Sequence, residues 1–364
     1  MSSRSRYAVI LAGGYGERFW PLSTRRRPKQ LLSLIGGQPL LVMAVERLNG
    51  LIPPDRIFVL TSQDLVRACR RLLPSVPVDQ VVGEPFRRDT AAAVALGAGL
   101  VAARDPTAAF CVLPADHIIR EDDCFRACLD QAFTLAESPE NWLVTLGIRP
   151  TWPCTGYGYI EVGDALPGEG FSRAFRVRRF VEKPDAATAH RYLQTGGFYW
   201  NGGMFLWRAE VLRAAFDRHV PALRDLLDRV AACPRISALR RRLAGWYEPL
   251  PRISIDYALM EKADRIAMVE AAFSWDDVGD WPALARHFSA DTRGNVVIGE
   301  GVAVEADGTI VVSPAGHLTA LLGVRDLVVV QAPGATLVCT RERAQEVKKV
   351  VQKLESEGRF RRLL

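Results

Sequence analysis

Three glycines at positions 13, 14 and 16, an arginine at 18 and a lysine at 29 concentrate anion-handling chemistry in one stretch, AVILAGGYGERFWPLSTRRRPKQLL, from Ala8 to Leu32. Glycines remove Cβ atoms where a backbone must turn sharply and approach a ligand, and exposed N–H groups in such a loop can hold phosphate oxygens. Arg18 offers a planar fork of donors and Lys29 a compact point charge, complementary tools for one polyphosphate. Two familiar glycine loops do not fit. A P-loop needs Gly-x-x-x-x-Gly-Lys-Ser/Thr, and a dinucleotide fingerprint needs Gly-x-Gly-x-x-Gly, whereas this order is Gly-Gly-x-Gly-x-Arg. The glycines alone would equally suit a strand-to-helix turn, with Arg25, Arg26 and Arg27 as a solvated charged face.

Carboxylates supply the second chemistry. Asp116, in Leu113-Pro114-Ala115-Asp116-His117, follows an apolar run, which puts it at the edge of a sheet. It could cap the next element or, with a partner from Ser274-Trp275-Asp276-Asp277-Val278-Gly279-Asp280, hold Mg²⁺, which favours one or two carboxylates plus phosphate oxygens. Four further segments have the character of a polar-ligand pocket. In Glu84-Pro85-Phe86-Arg87-Arg88-Asp89-Thr90-Ala91, Thr90 could simply cap a helix. In Thr155-Gly156-Tyr157-Gly158-Tyr159-Ile160-Glu161 the glycines admit a close backbone approach or a turn. Val181-Glu182-Lys183-Pro184 presents a carboxylate and an ammonium, as an exposed ion pair also would. Tyr199-Trp200-Asn201-Gly202-Gly203 places one amide beside two glycines, suited to sugar hydroxyls.

Strands and helices alternate through the first half. Strand signals at 7–11, 56–60, 80–82, 110–113 and 142–146 are separated by helical spacing at 38–48, 63–73, 90–103 and 124–136. This βαβ alternation predicts an α/β, Rossmann-like, mainly parallel mixed sheet covered on both faces, with ligands outside the carboxyl ends of its strands. Later come strands at 175–181, 203–207 and 265–269, and one helix over 210–230. After about residue 288 the composition changes to short β-prone pieces, NVVIG, VAVE, TIVVS, LTALLG, LVVVQA and TLVCT, without a strict hexapeptide period. We therefore expect a catalytic domain over 1–288 and a small C-terminal β domain of stacked short strands over 289–364. It closes in an amphipathic helix over 340–357 with Val347, Val350, Val351 and Leu354 on its apolar side.

Composition narrows the class. The 364 residues are 49% hydrophobic and 24% charged, enough for a large core, and the net charge of +6 is a small difference between 47 basic and 41 acidic residues. That balance gives no reason to invoke a nucleic-acid partner. Seven scattered cysteines read as reduced core residues, and Cys124 and Cys128 have no second pair to complete a zinc set. With no long apolar run there is no membrane partner to expect, and the expected location is cytoplasmic.

In combination, LAGGYGERFWPLSTRRRPKQ, EPFRRDTAAAVA, LPADH, CTGYGYIE, VEKP, WNGGMFLW, SIDYALMEK and WDDVGDW resemble the mannose-1-phosphate guanylyltransferases, sugar-1-phosphate nucleotidyltransferases with a glycosyltransferase-A-like fold. The resemblance covers residues 7 to about 285. It implies GMP transfer from GTP to mannose 1-phosphate with Mg²⁺ as cofactor, and a homodimer as the assembly to test. Residue by residue it implies that Leu11, Ala12, Gly13, Gly14 and Gly16 form the nucleotide loop, that Arg18 and Lys29 clamp the triphosphate, and that Asp116 and Asp277 hold the metal. Glu84, Pro85, Thr90 and Ala91 would frame the base, Gly156, Glu182 and Asn201 the sugar, and Lys183 the sugar phosphate. Asp89 stands where the family usually has Asn. No isomerase-type C-terminal extension is expected. The rivals are transfer to another sugar 1-phosphate, of manno-heptose or another hexose, and a non-catalytic subunit that only binds sugar nucleotide.

Overall fold

Residues 5–166, 173–181, 183–233, 235–358 and 360–364 are described in a computed structural model, which divides into two units. The first comprises Met1–Gly13, Ala44–Ala115 and Ile119–Trp275; the second comprises Gly14–Met43, Asp116–Ile118 and Asp276–Leu364.

The first unit is built on nine strands: β1 Arg6–Ala12, β2 Ile57–Ser62, β3 Val81–Glu84, β4 Ala109–Pro114, β5 Leu143–Ile148, β6 Tyr159–Ala165, β7 Ala174–Val181, β8 Phe198–Arg208 and β9 Ile266–Glu270. They lie in the order β3-β2-β1-β4-β8-β5-β9-β7-β6. β3, β2, β1 and β4 are parallel, as is β5 with β9. β8 runs antiparallel to both β4 and β5, and β7 antiparallel to β9 and β6. The sheet is therefore mixed, as expected, but it is not mainly parallel, since antiparallel pairings are as prominent as parallel ones. β8 is also longer than the predicted 203–207, because the chain passes through Asn201-Gly202-Gly203 without leaving the sheet. Gly203 takes φ +63°, and the pairing with β5 shifts register between Thr145 and Gly147, as a bulge does.

The longer helices of this unit include α1 Asp89–Ala102, α2 Asp122–Glu137, α3 Ala209–His219, α4 Pro221–Ala231 and α5 Ile236–Tyr247. The predicted single helix over 210–230 breaks at Pro221, which lacks the N–H a helix interior needs but suits a first turn. α1 is buried from Ala91 to Val101. Its small residues permit this: a Cβ at Gly97 would come within 2.7 Å of Val9, and one at Gly99 within 2.6 Å of Val230 on α4.

In the second unit the six β-prone pieces become six strands: β10 Val296–Ile298, β11 Gly301–Val304, β12 Ile310–Val312, β13 Thr319–Leu322, β14 Leu327–Ala332 and β15 Ala335–Thr340. β10, β12 and β14 stack in parallel, as do β11 and β13, while β15 closes the larger stack antiparallel. The rungs thus repeat as successive turns of a short β-helix. Its core of Val296, Ile310, Val312, Val328, Val330 and Leu337 continues into Phe19, Trp20 and Trp281. The terminal helix is a 3₁₀ segment, Arg341–Glu346, followed by α6 Val347–Glu357. Val347 and Val351 are buried as predicted, but Val350 is 39% exposed. Among the described residues no helix is long and apolar enough to cross a membrane.

Candidate active site

Lys29 is the centre of the second unit's polar cluster. Pro28 caps the 3₁₀ turn Lys29–Leu31, and the lysine side chain is 5% exposed. Its ammonium donates to Asp116 Oδ2 at 3.0 Å and to the Asp277 carbonyl at 2.5 Å, and lies 5.7 Å from the Phe19 ring centroid. An ammonium has three donors, so one proton has no partner among the described residues. Burial works against ionisation of the Asp116 carboxyl, but Lys29 and then His117 outweigh it and hold its pKa below the ordinary value. Its side chain nevertheless keeps 40% of its surface exposed.

Gly16 makes this packing possible. It takes φ +61°, and a Cβ there would overlap Lys29 Cβ and lie 3.2 Å from the Lys29 backbone nitrogen. Its carbonyl accepts from the Phe19 N–H at 2.8 Å and the Ser23 hydroxyl at 2.5 Å. Gly14 is exposed, and nothing lies within 4 Å of the position a Cβ would take there, so packing does not explain its missing side chain. Arg18 sits in the adjoining turn Glu17–Phe19, half-buried, and no carboxylate pairs with it among the described residues.

The three acids of the WDDVGD turn are sorted by their partners. Asp280 accepts from the Ala283 N–H at 2.8 Å and so caps the short helix Trp281–Ala285. Asp276 accepts from the Val278 N–H at 2.7 Å, Arg286 at 2.8 Å and His287 at 3.1 Å. Burial would raise its pKa, yet these donors hold it low. Val278 is buried at φ +46°, a strained value for a β-branched residue. The Asp277 carboxylate lies over Gly279, where a Cβ would come within 3.3 Å. Asp116 and Asp277 together offer hard oxygen donors that suit Mg²⁺. Among the described residues no group of three or more His, Cys, Asp and Glu is placed to hold a metal ion.

The first unit carries the remaining residues. Leu11 and Ala12 end β1: the Leu11 carbonyl accepts from Ala115 N–H at 3.0 Å and the Ala12 carbonyl from the buried Thr61 hydroxyl at 2.9 Å. Glu84 ends β3 next to Pro85; its Oε2 lies 3.1 Å from where a Gly13 Cβ would stand. Tyr247, fully buried at the end of α5, donates to Glu84 Oε1 at 2.5 Å. Burial pushes the Glu84 carboxyl up to about 7 despite that hydrogen bond. Thr90 does not cap α1: its hydroxyl accepts from the Ile255 N–H at 2.8 Å, and the Ala91 N–H donates to the Ile253 carbonyl at 3.2 Å. Asp89 takes φ +63° and accepts from the Thr90 N–H at 2.8 Å. Asp and Asn both tolerate this left-handed conformation, so the departure at position 89 keeps the backbone requirement.

Asn201 donates from Nδ2 to Asp256 at 2.6 Å and accepts at Oδ1 from the Gly203 N–H at 3.0 Å. Its own N–H donates to the Gly158 carbonyl at 2.8 Å, tying the Gly156 segment to β8. Tyr157 and Trp152 pack on Trp200, with ring centroids 5.1 and 4.5 Å away. Lys183 is exposed just after β7, and Glu182 lies outside the described residues. A cleft of about 610 Å³ lined by Arg149, Trp152, Trp200 and Trp275 contains none of these predicted residues. The sequence did not single out Asp256 or Tyr247 as partners, and it offered Asp276 only as an alternative carboxylate of the Ser274–Asp280 cluster. Asp256 stands inside the SIDYALMEK motif, whereas nothing local marks Tyr247.

Residues 7–294 match the family described as nucleotidyl transferase, and residues 299–354 match a MannoseP isomerase/GMP-like beta-helix domain. A mannose-1-phosphate guanylyltransferase of Salmonella montevideo is 39% identical over 361 residues, covering 96% of this chain and 74% of its own. Another, of Escherichia coli K12, is 36% identical over 365 residues, covering 99% and 75%. A crystal structure from Thermus thermophilus, described as a mannose-1-phosphate geranyltransferase, is similar with a TM-score of 0.84 at 40% identity, covering 96% of this chain and 99% of that one. The fold is thus that of a nucleotidyltransferase with a C-terminal β-helix. The chain belongs to the mannose-1-phosphate guanylyltransferase family of nucleotidyl transferases.

Proposed function

We propose that the protein transfers GMP from GTP to α-D-mannose 1-phosphate, giving GDP-mannose and pyrophosphate. A phosphate oxygen of the sugar phosphate bonds to the α-phosphorus as the bond from that phosphorus to the bridging oxygen of the β-phosphate breaks in line. No general base is required, because a phosphate monoester with a second pKa near ~6 is already mostly dianionic at neutral pH. The work left to the protein is to hold two anions together and to stabilise charge on the departing pyrophosphate.

The observation that carries this reading is the Lys29 ammonium, buried beside Asp116 and Asp277 with a third donor that meets no partner among the described residues. In the proposal, Lys29 and Arg18 bind the triphosphate, and the backbone of Leu11 to Gly16 lies against it. Asp116 and Asp277 would hold Mg²⁺, which when bound neutralises phosphate charge. Glu84, Pro85, Thr90 and Ala91 frame the guanine, Gly156, Glu182 and Asn201 contact the mannose, and Lys183 binds its phosphate. Asp256 orients the Asn201 amide. A cytoplasmic location and a homodimer complete the proposal; exposed Val302, Val304, Leu318 and Leu322 on and beside β11 and β13 support a buried interface there.

Pyrophosphate release measured over a panel of nucleoside triphosphates and sugar 1-phosphates tests the reading. GTP with mannose 1-phosphate should give the highest kcat/KM, and excess chelator should abolish turnover. A preference for another sugar 1-phosphate would reassign the acceptor, and no release with any pair would leave a sugar-nucleotide-binding subunit.

A further inference from the structure

The Glu84 carboxylate is placed oddly for a site that binds polyphosphate. It ends β3 with one oxygen against the turn at Gly13, and no cation pairs with it among the described residues. A carboxylate repels phosphate, so its ligand must be the donor-bearing part of the nucleotide. Guanine presents adjacent donors, N1–H and the N2 amino group, which one carboxylate can accept together, whereas adenine places an acceptor at N1. Such a contact discriminates only if the carboxylate cannot rotate away.

We propose that Tyr247 is the positioning residue that fixes the Glu84 carboxylate for reading the guanine donor edge, and so sets base selectivity from outside the base pocket. This rests on the proposed GTP-dependent reaction. Tyr247 is fully buried at the end of α5, and its hydroxyl donates to Oε1 at 2.5 Å. That bond fixes one oxygen and directs Oε2 toward Gly13. Because the tyrosine O–H donates, it also favours the ionised carboxylate against the burial that pushes Glu84 up to about 7. Arg88, whose guanidinium donates to the Glu248 carbonyl beside Tyr247, is the nearby cation that acts on the tyrosine. Burial, then the Glu84 carboxylate, raises the Tyr247 hydroxyl well above its ordinary value, so it remains a donor across the working pH range.

The test compares GTP with ITP, which keeps N1–H and lacks the N2 amino group, in the wild type, Tyr247→Phe, Glu84→Gln and the double variant. A hydrogen bond to a charged group corresponds to a ~10- to 100-fold preference for GTP over ITP in kcat/KM. Tyr247→Phe should shrink that preference several-fold, raising KM for GTP far more than it lowers kcat. In the Glu84→Gln background the same change should have little further effect. An unchanged GTP/ITP ratio in Tyr247→Phe, or additive effects in the double variant, overturns the positioning role. If Tyr247→Phe does not fold, 3-fluorotyrosine incorporation, which strengthens the donor while keeping the ring, should raise the ratio; an unchanged ratio overturns the proposal. Absence of GTP turnover in the wild type would instead overturn the reaction on which the inference rests.

Discussion

Replacing Gly16 and Gly14 by alanine, one at a time, separates a glycine required by the fold from one required by a ligand. At Gly16 the φ of +61° costs an alanine ~1–2 kcal/mol. The new methyl would also overlap Lys29 Cβ, and such overpacking typically adds ~1–3 kcal/mol. Gly16→Ala should therefore lose roughly 2–5 kcal/mol in urea unfolding followed by tryptophan fluorescence. In whatever fraction folds, displacing Lys29 by even ~1 Å should reduce turnover by about 100-fold. Gly14 has φ outside the left-handed region and open space around a Cβ, so Gly14→Ala should stay within ~0.5 kcal/mol of wild type. If GTP phosphates lie against this backbone, the same methyl should raise KM for GTP by ~10-fold or more through a lost charged hydrogen bond. A fully stable Gly16→Ala would refute the close Gly16–Lys29 packing, and a Gly14→Ala enzyme with unchanged KM would remove the loop from phosphate binding.

Asp277→Asn and Asp116→Asn should each lower kcat by more than ~100-fold with little change in stability, as loss of a charge-stabilising group does; steady-state kinetics beside circular dichroism check this, and near-normal kcat in Asp277→Asn would direct attention to Asp276. Lys183→Ala should raise KM for the sugar phosphate by about one to two decades while GTP affinity, titrated directly, changes much less. Loss of GTP binding instead would move Lys183 to the nucleotide side. Glu84 gives a pH signature: its folded value of about 7 exceeds the ordinary 4.5, so the folded state holds that proton more tightly. Its contribution to stability is present below about 4.5 and is lost as pH rises through 7. Glu84→Gln should remove this slope, so that its stability relative to wild type improves from pH 5 to pH 8; parallel curves would contradict the raised value.

The sequence showed more of the elements than of their directions. Each of the six β-prone pieces after residue 295 is a strand, because alternating valines between glycine and proline turns leave few other local choices. The antiparallel course of β8 was hidden, since strand direction depends on partners far along the chain. The second unit joins Gly14–Met43 to Asp276–Leu364, a grouping that composition along a chain does not display. Lys29, Asp116 and Asp277 came from motifs read in combination; their convergence across separations of 87 and 248 residues is a property of the fold. Tyr247 was illegible because a buried tyrosine at helical spacing reads as core, and only its 2.5 Å bond to Glu84 gives it a further part.

Oxygen tracing tests the central claim most directly. Mannose 1-phosphate carrying ¹⁸O in its phosphate is incubated with GTP, Mg²⁺ and the full chain, and the products are resolved by mass spectrometry and ³¹P NMR. Attack by the sugar phosphate on the α-phosphorus predicts GDP-mannose in which ¹⁸O bridges the two phosphorus atoms, with unlabelled pyrophosphate. Label in the pyrophosphate, or GTP consumed without any GDP-mannose, would contradict it.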